Sequence, residues 1–482
     1  MANCMWNFNK FKNNKAVILE NGKTFSYAEL NCLAQNIVRH IPNKENNRPL
    51  VFHLCGNELG ALAAYVGFLN AHIVPLVLNA DLDFALFKSL LTEFLPAYLH
   101  LPNRRLQELS TLPESANFET LFSHFGYSLI KTNFKKSYLL NDNLALVQPT
   151  SGSTGSHKLV RQSYQNIQAN TGDIVAYLHL NETERAITTL PMNYNYGMSV
   201  INTHCAVGAA LILTDKSIIQ REFWQALKTH KATSFAGVPY TFEMLEKLRF
   251  FRMDLPHLRY LTQAGGKLST VLQEKFSKWA MDNGKKFWVM YGATEATARM
   301  AYLPPAMAMQ KIGSIGIAIA QGKFSLIDSV GNLITTPKTK GELVFEGKNV
   351  ALGYAEKGDD LAKGDDFHGR LLTGDVANFD EDGFFYIVGR KKRFLKIFGN
   401  RVSLDECENL LKTAFPKIDC ICSGKDDQMQ IFVTPDNAEQ EPQLIDFLAQ
   451  KTNLNKTAFV VKTIAKIPRN AAGKVLYETL QQ

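Results

Sequence analysis

The sequence predicts an α/β protein: a large N-terminal domain of two doubly wound sheets with a small β subdomain, followed by a C-terminal α+β domain. Three observations carry this expectation. Apolar runs of strand length alternate with helical patterns over most of the first 310 residues. After Gly313 the texture turns to shorter runs with Gly and Asp turns, and beyond Arg390 a charged segment leads into one further strand–helix unit.

Taken in order, "TFSYAELNCLAQNIVRHI" (24–41) reads as a helix and "GALAAYVGFLNAHIVPLVLN" (60–79) as a helix followed by a strand. "LALVQPT" (144–150) is a buried strand entering a glycine-rich loop, and from Ser163 the residues Ile167, Ile174, Val175 and Leu178 recur at helical spacing. The order expected there is strand, loop, helix. "AALILT" (209–214), "ATSFAGV" (232–238), "RYLTQAG" (259–265) and "FWVMY" (287–291) are strand-like, with helices over 221–230, 240–250 and 269–283 between them. Such alternation builds a parallel sheet whose ligands sit at the carboxyl ends of the strands, where the glycine-rich loop lies. "GELVFEG" (341–347) and "DGFFYIVGR" (382–390) are the short strands of the β subdomain, with Asp382-Gly383 as a hairpin turn. "IFVTP" (431–435) and a helix over 442–451 belong to the C-terminal unit.

A length of 482 residues leaves room for about three domains, and 46% hydrophobic residues supply large cores. No uninterrupted apolar run approaches the ~20 residues that span a bilayer, and "MANCMWNFNKFKNNK" lacks an apolar h-region and a cleavage site. A cytoplasmic protein without a membrane span is expected. Seven scattered cysteines, with Cys420 and Cys422 one residue apart, fit reduced thiols and no structural metal site. The formal charge of +8 is spread along the chain, so no nucleic-acid arm is expected; one local cluster, "GRKKRFLKIFGNR", stands out.

The loop "PTSGSTGSHKLV" (149–160) fails as a P-loop: Gly152 and Gly155 are three apart, and Leu159 follows Lys158 where a metal-holding hydroxyl belongs. It retains the physics of an anion cradle. Glycines let backbone amides form a nest, Ser151, Ser153 and Thr154 add donors, and Lys158 adds a point charge. A flexible linker has the same composition.

Four motifs follow one another: T-S-G-S-T-G-S-H-K (150–158), Y-G-A-T-E (291–295), T-G-D (373–375) with G-R-K-K-R-F-L-K-I-F-G-N-R-V (389–402), and P-R-N-A-A-G-K (468–474). In this combination the sequence resembles the adenylate-forming superfamily of acyl-CoA synthetases, peptide-synthetase adenylation domains and beetle luciferases, and the resemblance covers nearly the whole chain. It implies an AMP-forming acid:thiol ligase. A carboxylate attacks the α-phosphate of ATP to give acyl-AMP, and a pantetheine thiol of coenzyme A or an acyl carrier protein then takes the acyl group.

The resemblance also implies residue roles. Thr150, Ser151, Gly152, Ser153, Thr154, Gly155 and Lys158 would hold the β- and γ-phosphates; Thr294 would donate to the α-phosphate and Glu295 would hold Mg²⁺. Tyr291 would lie against adenine, in a pocket shaped by Ala264, Gly265, Gly266 and Gly292. Asp375 would accept both ribose hydroxyls, with Arg390 on ribose or phosphate. Lys474 would swing in to the substrate carboxylate during the first step. A mobile C-terminal domain (391–482, after an N-terminal domain of 1–390) would rotate about a hinge at Lys392, bringing Lys396 and Gly399 to the thioester step. Read singly, each has a plainer role: Glu295 as a helix-start acid, Tyr291 as core, Asp375 as a turn residue, Lys474 as a solvated lysine.

Two departures from the family pattern bear on the substrate. His157 stands where the family loop has proline, and Tyr194 where many acyl-CoA synthetases have histidine. No aspartate lies between Pro191 and Thr203 to hold an α-ammonium group, which disfavours an α-amino acid. Tyr194, Gly197 and Val238, with Pro239, Gly266 and Gly292, are the acyl-pocket candidates by resemblance, and their small-and-aromatic mixture points to a short or medium carboxylic acid, with or without a hydroxyl group. A luciferase-type oxidoreductase and a non-catalytic nucleotide-binding homologue are the alternatives.

Overall fold

The computed structural model describes residues 5–42, 48–150, 158–391, 393–398, 400–416, 418–435, 440–452, 454–470 and 473–480. Two large sheets dominate. The first has nine strands. Its central six, Lys286–Tyr291, Tyr260–Gln263, Ser234–Gly237, Arg185–Ile187, Ala210–Leu213 and Lys15–Leu19, are parallel neighbours in that spatial order. The second has eight strands, with Leu144–Pro149, Val74–Asn79, Leu50–Cys55 and Tyr98–Pro102 as its parallel centre.

The two sheets share an interior. The helix Leu59–Asn70, "LGALAAYVGFLN", is buried at every position but the last, and its apolar surface runs all the way round. It packs into one cluster with Val17 and Leu211 of the nine-stranded sheet and Val51 and Val77 of the eight-stranded sheet. Gly67 permits the close crossing with the helix Tyr27–Val38, since a Cβ there would lie 2.8 Å from the Ala34 carbonyl oxygen. Ser26 opens that second helix with a capping box to Glu29.

One expectation is corrected. Between the glycine-rich loop and the helix Tyr164–Leu178 stands an extra strand, Leu159–Ser163, antiparallel to Leu144–Pro149, so the loop is a hairpin connection rather than a strand-to-helix turn. All five of its residues are buried. Arg161 is fully enclosed because its guanidinium donates to the carbonyls of Leu352, Tyr354, Lys363 and Gly364 and pairs with Asp366 at 2.5 Å. It thereby fixes the edge strand Gly353–Ala355 against this hairpin.

A five-stranded antiparallel sheet follows, built from Gly322–Ile327, Leu333–Ile334, Gly341–Gly347, Arg370–Phe379 and Phe385–Arg390. Gly383, at φ +80°, takes the turn between the last two. From Phe394 onward come a two-stranded ribbon, Phe394–Ile397 with Asn400–Ser403, and a three-stranded sheet carrying the helices Leu404–Ala414 and Glu441–Thr452. This part has its own apolar cluster, from Leu395 to Phe459. Among the described residues no helix is long and apolar enough to cross a membrane, and the six described cysteines are free thiols.

Candidate active site

Antiparallel pairing builds the first corner. Asp375 lies opposite Arg390 in the register of Arg370–Phe379 and Phe385–Arg390, after Gly374 at φ +70°. Arg390 Nε donates to Asp375 Oδ1 at 3.0 Å, and the hydroxyl of Tyr291, the last residue of a central parallel strand, donates to Asp375 Oδ2. Asp375 is only 6% exposed, so these donors compensate a carboxylate withdrawn from water. The carboxylate in turn holds the Arg390 guanidinium above its ordinary pKa, while burial first, and then the Asp375 charge, push the Tyr291 hydroxyl well up.

A second corner gathers at the exit of the glycine-rich hairpin. Glu295, in the 3-10 turn Thr294–Ala296, accepts at Oε1 from the Tyr354 hydroxyl at 2.9 Å. Tyr354 is the register partner of Val160, and the Lys158 ammonium stands 5.7 Å from its ring centroid and 3.6 Å from Glu356 Oε1. Thr294 is buried, its carbonyl accepting from Gln162 Nε2 at 3.3 Å and Asn195 Nδ2 at 3.4 Å. Thr150 directly follows the strand Leu144–Pro149. Ser151, Gly152, Ser153, Thr154 and Gly155, with His157, lie outside the described residues.

The chain's C-terminal turn closes the third side. Arg469 bridges Val475, and Gly473 turns at φ +76°, in a place where a Cβ would come 2.9 Å from Val238. The turn is seated by Arg469, whose guanidinium lies 4.9 Å from the Tyr240 ring centroid and 3.2 Å from both oxygens of Asp419. Lys474 follows, its Nζ 5.5 Å from the Tyr194 ring centroid. Burial and then the Arg390 charge lower its pKa to about 8, against the opposing pull of Glu295 and Asp375. Those four groups therefore share one electrostatic neighbourhood.

Of the described candidate glycines, Gly265 faces this space. It sits at φ +83°, and a Cβ there would meet the Tyr194 hydroxyl at 2.5 Å and Val238 at 3.1 Å, with Lys474 Cε at 3.7 Å. The neighbouring candidates stand close against other parts of the chain. A Cβ on Gly197 would lie 2.4 Å from the Pro191 carbonyl, on Gly292 1.7 Å from the Ala298 carbonyl, and on Gly266 3.1 Å from Pro239.

The structure thus brings together Lys158, Tyr194, Val238, Ala264, Gly265, Tyr291, Thr294, Glu295, Asp375, Arg390 and Lys474. Lys396 stands apart, exposed on the two-stranded ribbon with its amide donating to Asp426. Lys392 and Gly399 lie outside the described residues. Sequence reasoning missed Tyr354 and Glu356. No local signal could have joined Tyr354 to Glu295 across 59 positions.

The model of the AMP-binding enzyme family matches residues 5–355, nearly three quarters of the chain. The chain belongs to the AMP-binding enzyme family. This AMP-binding enzyme is 27% identical over 363 residues to the peroxisomal OPC-8:0-CoA ligase 1 of Arabidopsis thaliana, covering 72% of this chain and 65%, just under two thirds, of that relative. It is 26% identical over 412 residues to a long-chain-fatty-acid–CoA ligase of Yersinia pestis, covering 82% of this chain and 70% of the relative. Its fold is that of o-succinylbenzoate CoA synthetase from Bacillus subtilis in complex with an acyl-adenylate intermediate. The TM-score is 0.77 at 21% identity, over 98% of this chain and 96% of the other.

Proposed function

We propose that this AMP-binding enzyme is an AMP-forming acid:thiol ligase, which converts a carboxylic acid and ATP to acyl-AMP and pyrophosphate and then transfers the acyl group to a pantetheine thiol. One observation carries the reading: Lys474, near the end of the chain, reaches Tyr194 and the neighbourhood of Glu295, Asp375 and Arg390. The relatives named as CoA ligases support the same class.

Attack of a carboxylate on a phosphate brings two anions together, so catalysis rests on positioning and on cations aimed at the oxygens. Lys474 supplies an ammonium beside Tyr194 and Gly265, where the acid's carboxylate and the α-phosphate meet. Asp375 takes the ribose hydroxyls by releasing the Tyr291 hydroxyl, whose ring then packs on adenine. Lys158 and the amides of the preceding loop hold the phosphates that depart as pyrophosphate. Glu295, a carboxylate in the turn Thr294–Ala296, would hold a Mg²⁺ ion, which when bound would neutralise phosphate charge. The second step would use a division of the chain at residue 390, with a hinge at Lys392 and with Lys396 and Gly399 facing the thiol of coenzyme A or of a carrier protein.

The test is ATP–pyrophosphate exchange across a panel of carboxylic acids. Lys474→Ala is expected to lose exchange by at least about 100-fold while keeping thioester formation from supplied acyl-AMP. Exchange that persists in the variant would sink the assignment of Lys474, and a wild-type chain that exchanges with no acid would sink the activity.

A further inference from the structure

Behind the tyrosines of the candidate active site lies a buried arginine with no acidic partner among the described residues. Arg299 is 3% exposed. Its backbone is pinned, the amide donating to Asn170 Oδ1 and the carbonyl accepting from Asn170 and Asn349. Its guanidinium is poorly matched. Nε faces Met290 Sδ at 3.4 Å, Nη1 reaches the Ala298 carbonyl only at 3.5 Å, Cζ stacks 3.9 Å over the Tyr196 ring, and the hydroxyls of Tyr177, Tyr194 and Tyr196 are neutral polar groups within reach of its charge. Among the described residues it forms no ion pair, whereas the other buried arginine, Arg161, has four carbonyls and Asp366. A guanidinium withdrawn from water without a counter-ion is costly, and it is retained where something else supplies the anion.

Arg299 lines a cavity of about 20 Å³, enough for a water-sized group. The link from this cavity to the acyl site runs through two tyrosines: Arg299 stacks on the Tyr196 ring, whose centroid lies 6.2 Å from that of Tyr194, and Lys474 stands over Tyr194. From the helix Asn195–Val207 come Ser199 and Thr203, three and seven residues past Tyr196 and therefore on its side. A second wall group is unsatisfied. His204 Nδ1 lies 2.8 Å from the Val200 carbonyl, which can only accept, so Nδ1 carries the proton and Nε2 is left buried without a partner among the described residues. A carboxylate with one oxygen in the cavity would favour protonation of that nitrogen as well as pairing with the guanidinium.

We infer that Arg299 is a specificity-determining residue that holds a second carboxylate at the far end of the acyl substrate, so that the acid activated is a dicarboxylic acid. This rests on the acid-activating reading given above. One carboxylate faces Lys474; the other passes Tyr194 and Tyr196 to Arg299. No step of the adenylation chemistry changes, since the distal group only binds.

The experiment is pyrophosphate exchange driven by α,ω-dicarboxylic acids of three to about eight carbons and by benzenedicarboxylic acids, each paired with its own monoamide. The monoamide keeps length, shape and one activatable carboxylate. For at least one pair the wild type is expected to favour the diacid by about tenfold or more in kcat/KM, the range of one charge-assisted hydrogen-bond set. Arg299→Met is expected to bring that ratio close to one with the monoamide's kcat/KM held within about threefold, and to leave the melting temperature unchanged or raised, because it removes an uncompensated charge. Arg299→Lys, which keeps the charge, should keep part of the preference. Exchange with diacids and monoamides alike, or a ratio unaltered by Arg299→Met, overturns this inference alone. A melting temperature lowered by more than about 5 °C in Arg299→Met shows that the side chain holds the fold and overturns it too. Exchange with no acid of either kind removes the acid-activating reading, and this inference falls with it.

Discussion

Lys474 is a base whose environment opposes its charge. Its folded pKa of about 8 lies below the ordinary lysine value of 10.5, burial being the main cause and Arg390 the next. Between about 8 and 10.5 the unfolded chain therefore binds the extra proton, so this residue makes the ligand-free protein more stable as pH rises through that window. Below pH 8 both states carry the proton, and the cost of burying the charge is present in full. Activity runs the other way, because the proposed role needs the ammonium. The kcat/KM of pyrophosphate exchange is expected to fall above about pH 8, while kcat falls at higher pH because bound triphosphate and carboxylate favour the proton. Lys474→Arg should remove the limb. A kcat/KM profile flat to pH 9.5 in the wild type would show that no ammonium at this position is needed.

At the scale of elements, the turn at Gly265 and the turn at residues 470–474 meet across Tyr194 and Val238. Gly265→Ala places a methyl 2.5 Å from the Tyr194 hydroxyl and puts an L-residue at φ +83°, a conformational cost of about 1–2 kcal/mol. Exchange is expected to drop by roughly tenfold or more. Gly265→Ala with Tyr194→Phe should recover part of it, since the clashing atom is gone; no recovery would mean that backbone strain alone is responsible. Tyr240→Ala removes the ring under Arg469 and is expected to slow exchange while sparing thioester formation from supplied acyl-AMP. Equal loss of both would mean that the ring serves the fold and not the seating of the turn. Helices were the most legible elements, because Ser26 with Glu29 marks a start in the sequence itself. The strand Leu159–Ser163 was not legible. "LVRQS" places arginine, glutamine and serine in the interior, where carbonyls from positions 294 and 352–364 satisfy the first two and the Asn166 amide donates to the Ser163 hydroxyl, so its buried face carries no apolar alternation.

Across the whole molecule, the same buried side chains that hide from sequence patterns hold distant segments together. Arg161→Met leaves four carbonyls and Asp366 without their donor, and a loss of about 3–5 kcal/mol is expected in chemical denaturation. A loss below about 1 kcal/mol would mean that water replaces the guanidinium. The ordered motifs single out Tyr291, Glu295, Asp375 and Lys474 on the amino-acid sequence alone, because each sits at a turn with a distinctive local signature. Tyr354 and Arg299 have none, since their meaning depends on which strands pair and on what is missing around a charge. The Tyr291–Asp375–Arg390 corner has one more implication. Each oxygen of this carboxylate already accepts from one of the chain's own donors. Nucleotide entry is then a swap of partners, and a sugar lacking its 2′-hydroxyl lets the phenol return to the oxygen it would have lost. Discrimination against dATP should accordingly be shallow, within about tenfold, and should steepen in Tyr291→Phe.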